Sequence, residues 1–143
     1  GELEAPVAYK DENLIHFNQK EFVPQYRFNI SSMNQDAYVY LPTNCQQDAS
    51  DCRVHVALHG CEQGMQSLDS KYVTGTGYLN VAESNKLIVL FPQVNKSSYI
   101  PYNPKGCWDF WGYTNNGWPP YTYYTKDAIQ MKAINAMVKQ LTQ

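Results

Sequence analysis

Residues 87–91 read Leu-Ile-Val-Leu-Phe, an apolar run with Lys86 before it and Pro92 closing it. A strand with one wetted face alternates apolar and polar side chains. A run without alternation is what a strand buried on both faces of a sheet looks like, so this one is expected in the middle of a parallel sheet with layers packed against each side. Its neighbours fit that frame. Residues 37–41 are rich in strand formers and stop at Pro42, while residues 53–58 alternate before ending in His59-Gly60. A glycine-bearing loop then leads to residues 78–84, a short helix with Leu79, Ala82 and Glu83 on neighbouring faces. At the end of the chain, Ile129, Met131, Ile134, Met137, Val138 and Leu141 recur at helical spacing, with Thr125 expected as N-cap and Asp127 in the first turn. Strand, glycine turn, helix, buried strand, aromatic loop and helix make an α/β architecture with a mostly parallel sheet.

At 143 residues the chain is expected to form one domain. Within it, residues 1–35 form an irregular lead-in of loops and one edge strand around Leu14-Ile15-His16-Phe17, and residues 36–143 form the core. Net charge is −2 and the basic residues are scattered, so the footprint of a nucleic-acid binder is missing. The longest apolar run falls far short of the roughly 20 residues that span a bilayer. The chain opens on Gly1-Glu2 without an initiator Met or a signal-like segment, so it is expected to be a processed product or a piece of something longer. The four cysteines, Cys45, Cys52, Cys61 and Cys107, lack the paired spacing of a zinc site, and disulfides are the better expectation. The polar stretch between Cys45 and Cys52 has the composition of a surface hairpin loop that a local bridge could pin.

Two stretches carry chemistry. In Val56-Ala57-Leu58-His59-Gly60-Cys61-Glu62-Gln63-Gly64 a strand runs into a glycine-bounded loop where backbone amides can point outward, the arrangement that an acyl-transfer enzyme uses for a developing oxyanion. Residues 93–124 form a long irregular region in which prolines and glycines alternate with Trp108, Trp111, Tyr113, Trp118 and Tyr121 to Tyr124. Loops of that length inside compact domains are usually functional. No serine is flanked by glycines as a nucleophile elbow requires, neither Ser31, Ser32, Ser50, Ser67, Ser70 and Ser84 nor Ser97 and Ser98. His16 and His55 are expected to be structural. His59 is expected to orient its loop by hydrogen bonds to nearby backbone rather than to act as a base.

The stretch from His55 to Gln63 resembles the oxyanion-hole strand of polyhydroxybutyrate depolymerase-like esterases. Further blocks are similar in the same order: Gly77-Tyr78-Leu79-Asn80, Ile88-Val89-Leu90-Phe91-Pro92-Gln93, the Gly106-Cys107-Trp108-Asp109-Phe110-Trp111-Gly112-Tyr113 block, and Gln130-Met131 within the last helix. The resemblance spans roughly residues 36 to 141. It implies a partial α/β-hydrolase fold, no metal or other cofactor, a secreted location, and ester hydrolysis by a Ser-His-Asp triad. The triad itself would lie in an absent N-terminal half, as in circularly permuted members of that family.

On this resemblance the backbone amides of Cys61 and Glu62 form the oxyanion hole, His59 orients the loop, and Trp118, Trp111 and Tyr113 line the substrate cleft. Trp108 and Trp111 also flank Asp109, where core packing around a disulfide is the larger claim on them. Glu62 departs from the family pattern: an ionised carboxylate beside the hole opposes oxyanion formation unless it points to solvent. The expected pairing is Cys45 with Cys52 and Cys61 with Cys107, chosen because it leaves no bridge straddling a strand. The implied partners are a polyester or small ester and the missing half, with an open sheet edge that could pair with another chain into a homodimer. The alternative is a catalytically silent surface- or polymer-binding module that uses exposed Tyr and Trp side chains.

Overall fold

The computed structural model of the protein describes residues 2–115 and 119–143, so Trp118 lies outside the described residues. Four strands form one sheet: β1 (Leu14–Asn18), β2 (Asp36–Tyr40), β3 (Arg53–Val56) and β4 (Leu87–Phe91). Their spatial order is β1-β2-β4-β3. Among the described residues five α-helices accompany them: α1 (Phe28–Ser31), α2 (Met65–Leu68), α3 (Lys71–Gly75), α4 (Tyr78–Ser84) and α5 (Ile129–Leu141).

The apolar run 87–91 does become the interior strand, bonded to β2 on one side and β3 on the other. Alternation along it feeds two cores, because successive side chains leave opposite faces of a strand. Ile88 and Leu90 pack with Val39 and with Ile129, Ala133 and Met137 of α5. Val89 and Phe91 pack with Tyr40, Val73, and Leu79 and Ala82 of α4. Each fully buried aliphatic side chain of this kind contributes about 1.5–3 kcal/mol.

The sheet is mixed rather than mostly parallel. Only β3 and β4 run parallel, since a helical crossover through α2, α3 and α4 joins them; β1 with β2 and β2 with β4 are antiparallel. The stretch holding Cys45 and Cys52 is likewise no hairpin loop, because β4 sits between the two strands it connects. Helix α5 also starts later than expected. Its N-cap is Ala128, without a side-chain cap. Thr125 instead closes a turn, donating through its hydroxyl to the Thr122 carbonyl at 2.8 Å and accepting from the Asp127 amide at 3.1 Å.

At the amino end of β4 sits a buried carboxylate. Glu83 accepts from the Tyr40 hydroxyl at 2.6 Å, the Thr43 hydroxyl at 2.5 Å, Asn13 Nδ2 at 3.2 Å and the Thr43 amide at 3.3 Å. Burial pushes its pKa up, but the bonds from Thr43, Tyr40 and Asn13 outweigh it and hold the carboxyl below its ordinary value. Burial and the bond to Glu83 push the Tyr40 hydroxyl up to about 12.

Candidate functional site

At the carboxyl end of the parallel pair, β3 gives way to the glycine turn. Ala57 still bonds to the Leu90 carbonyl at 2.9 Å, after which the chain leaves the sheet. His59 follows, 2% exposed. Its Nε2 accepts from the Val94 amide at 3.2 Å, so the neutral ring carries its proton on Nδ1, which donates to the Gly60 carbonyl at 2.8 Å. Burial lowers its pKa, which favours this neutral form. The expected loop-orienting contacts are therefore present, with the ring stitched to the segment after β4 as well as to its own turn. Gly64 has to be glycine here: a Cβ would lie 2.9 Å from the Val94 carbonyl oxygen and 3.0 Å from the His59 ring.

Both bridges have the expected partners, Cys45 with Cys52 and Cys61 with Cys107. The Cys61–Cys107 bridge does straddle a strand, contrary to expectation, since the loop it closes contains β4. What brings these two ends together is the docking of residues 103–107 against the turn, where the Glu62 amide donates to the Lys105 carbonyl at 2.7 Å. That bond occupies one of the two amides expected to face an oxyanion. Glu62 adopts a left-handed backbone with φ of 62°. Its carboxylate is 3.2 Å from Lys105 Nζ and 3.7 Å from Lys96 Nζ, and these ammonium groups, Lys105 foremost, hold it below the usual carboxylate range. The carboxylate beside the turn is thus partly exposed and charge-balanced.

The three amides of the turn differ. Gly60 donates to Gln63 Oε1 at 2.8 Å and Glu62 to Lys105, whereas the Cys61 amide has no acceptor among the described residues.

Beneath the turn lies a polar hub that sequence patterns did not flag. Asn103 is fully buried; its Oδ1 accepts from the Cys107 amide at 2.9 Å, and its Nδ2 lies 2.9 Å from Ser32 Oγ and 3.0 Å from the Cys107 carbonyl. Tyr113 belongs to this hub and not to an open cleft wall: it is 6% exposed, donates to the Cys107 carbonyl at 2.7 Å and accepts from Gln130 Nε2 at 2.7 Å. Burial drives its hydroxyl pKa strongly upward. Asp109 shapes the next loop by accepting from the Gly112, Tyr113 and Thr114 amides at 2.6, 3.1 and 3.0 Å.

Trp108 packs on the core near the turn, its indole donating to the His59 carbonyl at 3.1 Å. Trp111 is 41% exposed and lines a cavity of about 310 Å³ with Gly112, Tyr121, Tyr123 and Tyr124. His16 and His55 stand apart, against Tyr38 and Tyr78 respectively. Among the described residues, no group of three His, Cys, Asp or Glu could hold a metal ion, and no helix is long and apolar enough to cross a membrane.

No family model matches the chain. Individual proteins do: a poly(3-hydroxybutyrate) depolymerase of Delftia acidovorans is 34% identical over 131 residues, 91% of this chain, and a polyhydroxybutyrate depolymerase of Talaromyces funiculosus is 34% identical over 122 residues, 80% of it. The crystal structure of a PHB depolymerase from Penicillium funiculosum superposes on 99% of this chain with a TM-score of 0.82 at 31% identity. The chain is homologous to part of the polyhydroxybutyrate depolymerases. A second PHB depolymerase structure, a serine-to-alanine variant complexed with an R3HB trimer, matches with a TM-score of 0.79 at 30% identity. The chain spans 24% and 34% of the two depolymerase sequences and 44% of each depolymerase structure.

Proposed function

We propose that the complete protein is a secreted serine esterase of the polyester depolymerase type, cleaving polyhydroxyalkanoate-type or short-chain esters, and that these residues form the oxyanion-holding part of an α/β-hydrolase fold. The observation that carries the proposal is the Cys61 amide, without an acceptor on a turn that a disulfide, a buried histidine and the Lys105 carbonyl hold still. In α/β-hydrolases one oxyanion donor comes from the loop after such a strand and the other from the residue following the nucleophile. With the Glu62 amide bonded to Lys105, Cys61 supplies the first and the second belongs to the triad-bearing sequence outside these residues. Each donor is worth about 3–4 kcal/mol to the transition state.

In this reading the serine attacks the ester carbonyl, its proton passes to the triad histidine, and the tetrahedral oxyanion accepts from the Cys61 N–H. Collapse expels the alcohol, and water then releases the acid by the same path. No metal or cofactor takes part. Trp111 and the cavity it lines form a wall of the cleft. Two disulfides suit an oxidising, extracellular setting.

A second reading, a polymer-binding module without catalysis, draws on the exposure of Phe110, Trp111 and Tyr124. Hydrolysis of p-nitrophenyl butyrate by the longest natural species, set beside these 143 residues alone, separates the two. The esterase reading expects turnover in the longer species and none in this chain. An inert longer species that still adsorbs to polymer would replace it with the binding reading.

A further inference from the structure

Residue 62 is attached to residue 105 at two points. Its amide donates to the Lys105 carbonyl at 2.7 Å, and its carboxylate accepts from the ammonium of the same lysine at 3.2 Å. A third group steadies the pair from the segment after β4. Lys96 Nζ is 3.7 Å from the carboxylate, and Gly106 packs so close to Lys96 that a Cβ there would lie 3.3 Å from its backbone nitrogen. Residues 61–62, 96 and 105–106 thus converge from three segments beside the Cys61 amide. The backbone gives this attachment something to hold. Glu62 has a φ of 62°, a region that residues other than glycine seldom occupy and that persists where the surroundings enforce it.

We propose that Glu62 and Lys105 are positioning residues for the ester hydrolysis, a two-point clamp that fixes the direction of the Cys61 N–H; the inference rests on the esterase reading above. Simple electrostatics assigns Glu62 the opposite role, since a lone carboxylate one residue from the donor raises the energy of a developing oxyanion. Here two ammonium groups face one carboxylate, so the cluster is net positive and the side chain is left to act mechanically. A single hydrogen bond from the Glu62 amide would let the turn swivel about that contact, and the second attachment to the same residue removes this freedom. Elsewhere the turn is already tied, Gly60 to Gln63 and the Cys61 side chain to Cys107, so the clamp closes its last soft side. Both charged groups are more than half exposed, at 52% for Glu62 and 63% for Lys105, and such a pair adds little to global stability. Its effect is local, on the fraction of molecules whose Cys61 amide points at the reacting carbonyl.

The test is steady-state hydrolysis of p-nitrophenyl butyrate by the longer natural species as wild type, Glu62→Gln, Lys105→Met and the double variant, with the unfolding midpoint recorded for each. In either single variant kcat should fall about two- to fivefold, the range open to an exposed ion pair acting on a local equilibrium, while KM and the midpoint stay nearly unchanged. The double variant should lose no more than the singles, because either substitution alone opens the charged end of the clamp. Raising salt from about 0.02 M to about 0.5 M should bring the wild type down toward the variants and leave the variants level. Faster turnover in Glu62→Gln would overturn the clamp, since the carboxylate would then act on the oxyanion through its charge alone. Unchanged kcat in the single variants, or losses that multiply in the double variant, would overturn it too. Glu62→Gly guards against a damaged fold: glycine adopts a φ of 62° without strain, so the midpoint should hold while kcat falls as in Glu62→Gln, and a wild-type kcat there would count against the carboxylate. A wild-type longer species without esterase turnover would overturn the esterase reading and the clamp together, whereas every other outcome leaves that reading standing.

Discussion

The two ends of the sheet each bury a polar hub, and the hubs differ in kind. At the amino end of β4 an ionised Glu83 is surrounded by donors from β2, the loop after it and the lead-in segment. The carboxyl end has a neutral His59 and a neutral Asn103, each tying together loops that run to the surface. A charge can be buried where every neighbour is a donor and nothing has to react. Where an oxyanion is to form, a fixed neutral framework holds amides without a competing charge. Ligand sites of α/β proteins lie at the carboxyl ends of parallel strands, and under the proposed function the two hubs divide between stability and chemistry along that line.

Four experiments can break that division. The largest effect is expected from opening the Cys61–Cys107 bridge with serines: the chain-entropy model gives about 4 kcal/mol of lost stability for a loop of this length, read by urea denaturation. In the longer natural species the same change should lower kcat on p-nitrophenyl butyrate about tenfold or more, because it loosens the turn. Next, Glu83→Ala should cost about 3 kcal/mol by leaving the Tyr40 and Thr43 hydroxyl donors unpaired, yet leave kcat of the longer species unchanged at permissive temperature. A large fall in kcat there would end the separation of the two hubs.

Gly64→Ala should cost about 2 kcal/mol, since its methyl group would press on the Val94 carbonyl and the His59 ring. Unlike Glu83→Ala, it should also reduce kcat. The smallest effect is the pH dependence. Folded-state pKa values of both His59 and Glu83 are depressed, so each adds stability above its ordinary pKa and loses it as pH falls. The His59 contribution should begin to fade below about pH 6.5 and the Glu83 contribution below about pH 4.5, giving two separate steps in an acid titration of the unfolding midpoint. In His59→Gln the upper step should vanish and the lower one persist.

Much of this arrangement was legible in the residues. The unbroken apolar run announced the interior strand, residues 78–84 the helix beside it, and the cysteine spacing a short local bridge and a long one. Other features depend on partners that lie far along the chain. The antiparallel pairing of Leu14–Asn18 with Asp36–Tyr40 left the sheet mixed, yet the lead-in carries only a short apolar segment. Thr125 fits a capping pattern but is held by Thr122 three residues too early. Glu83, Asn103 and Gln130 look like surface residues in any window, since each has a partner, Asn13, Ser32 and Ser31 respectively, that lies 70 to 99 positions away. The Glu62 amide seemed free because its acceptor at Lys105 arrives only when the chain folds back.

One consequence reaches beyond the fold. Both nitrogens of His59 are engaged, one as donor and one as acceptor, in a ring that solvent barely touches. Such an imidazole offers no lone pair to an electrophile. Diethyl pyrocarbonate should therefore label the exposed His16 readily and spare His59 in the native protein. If the longer natural species loses its esterase activity under that reagent while His59 remains unlabelled, the loss reports the triad histidine and offers a way to count it.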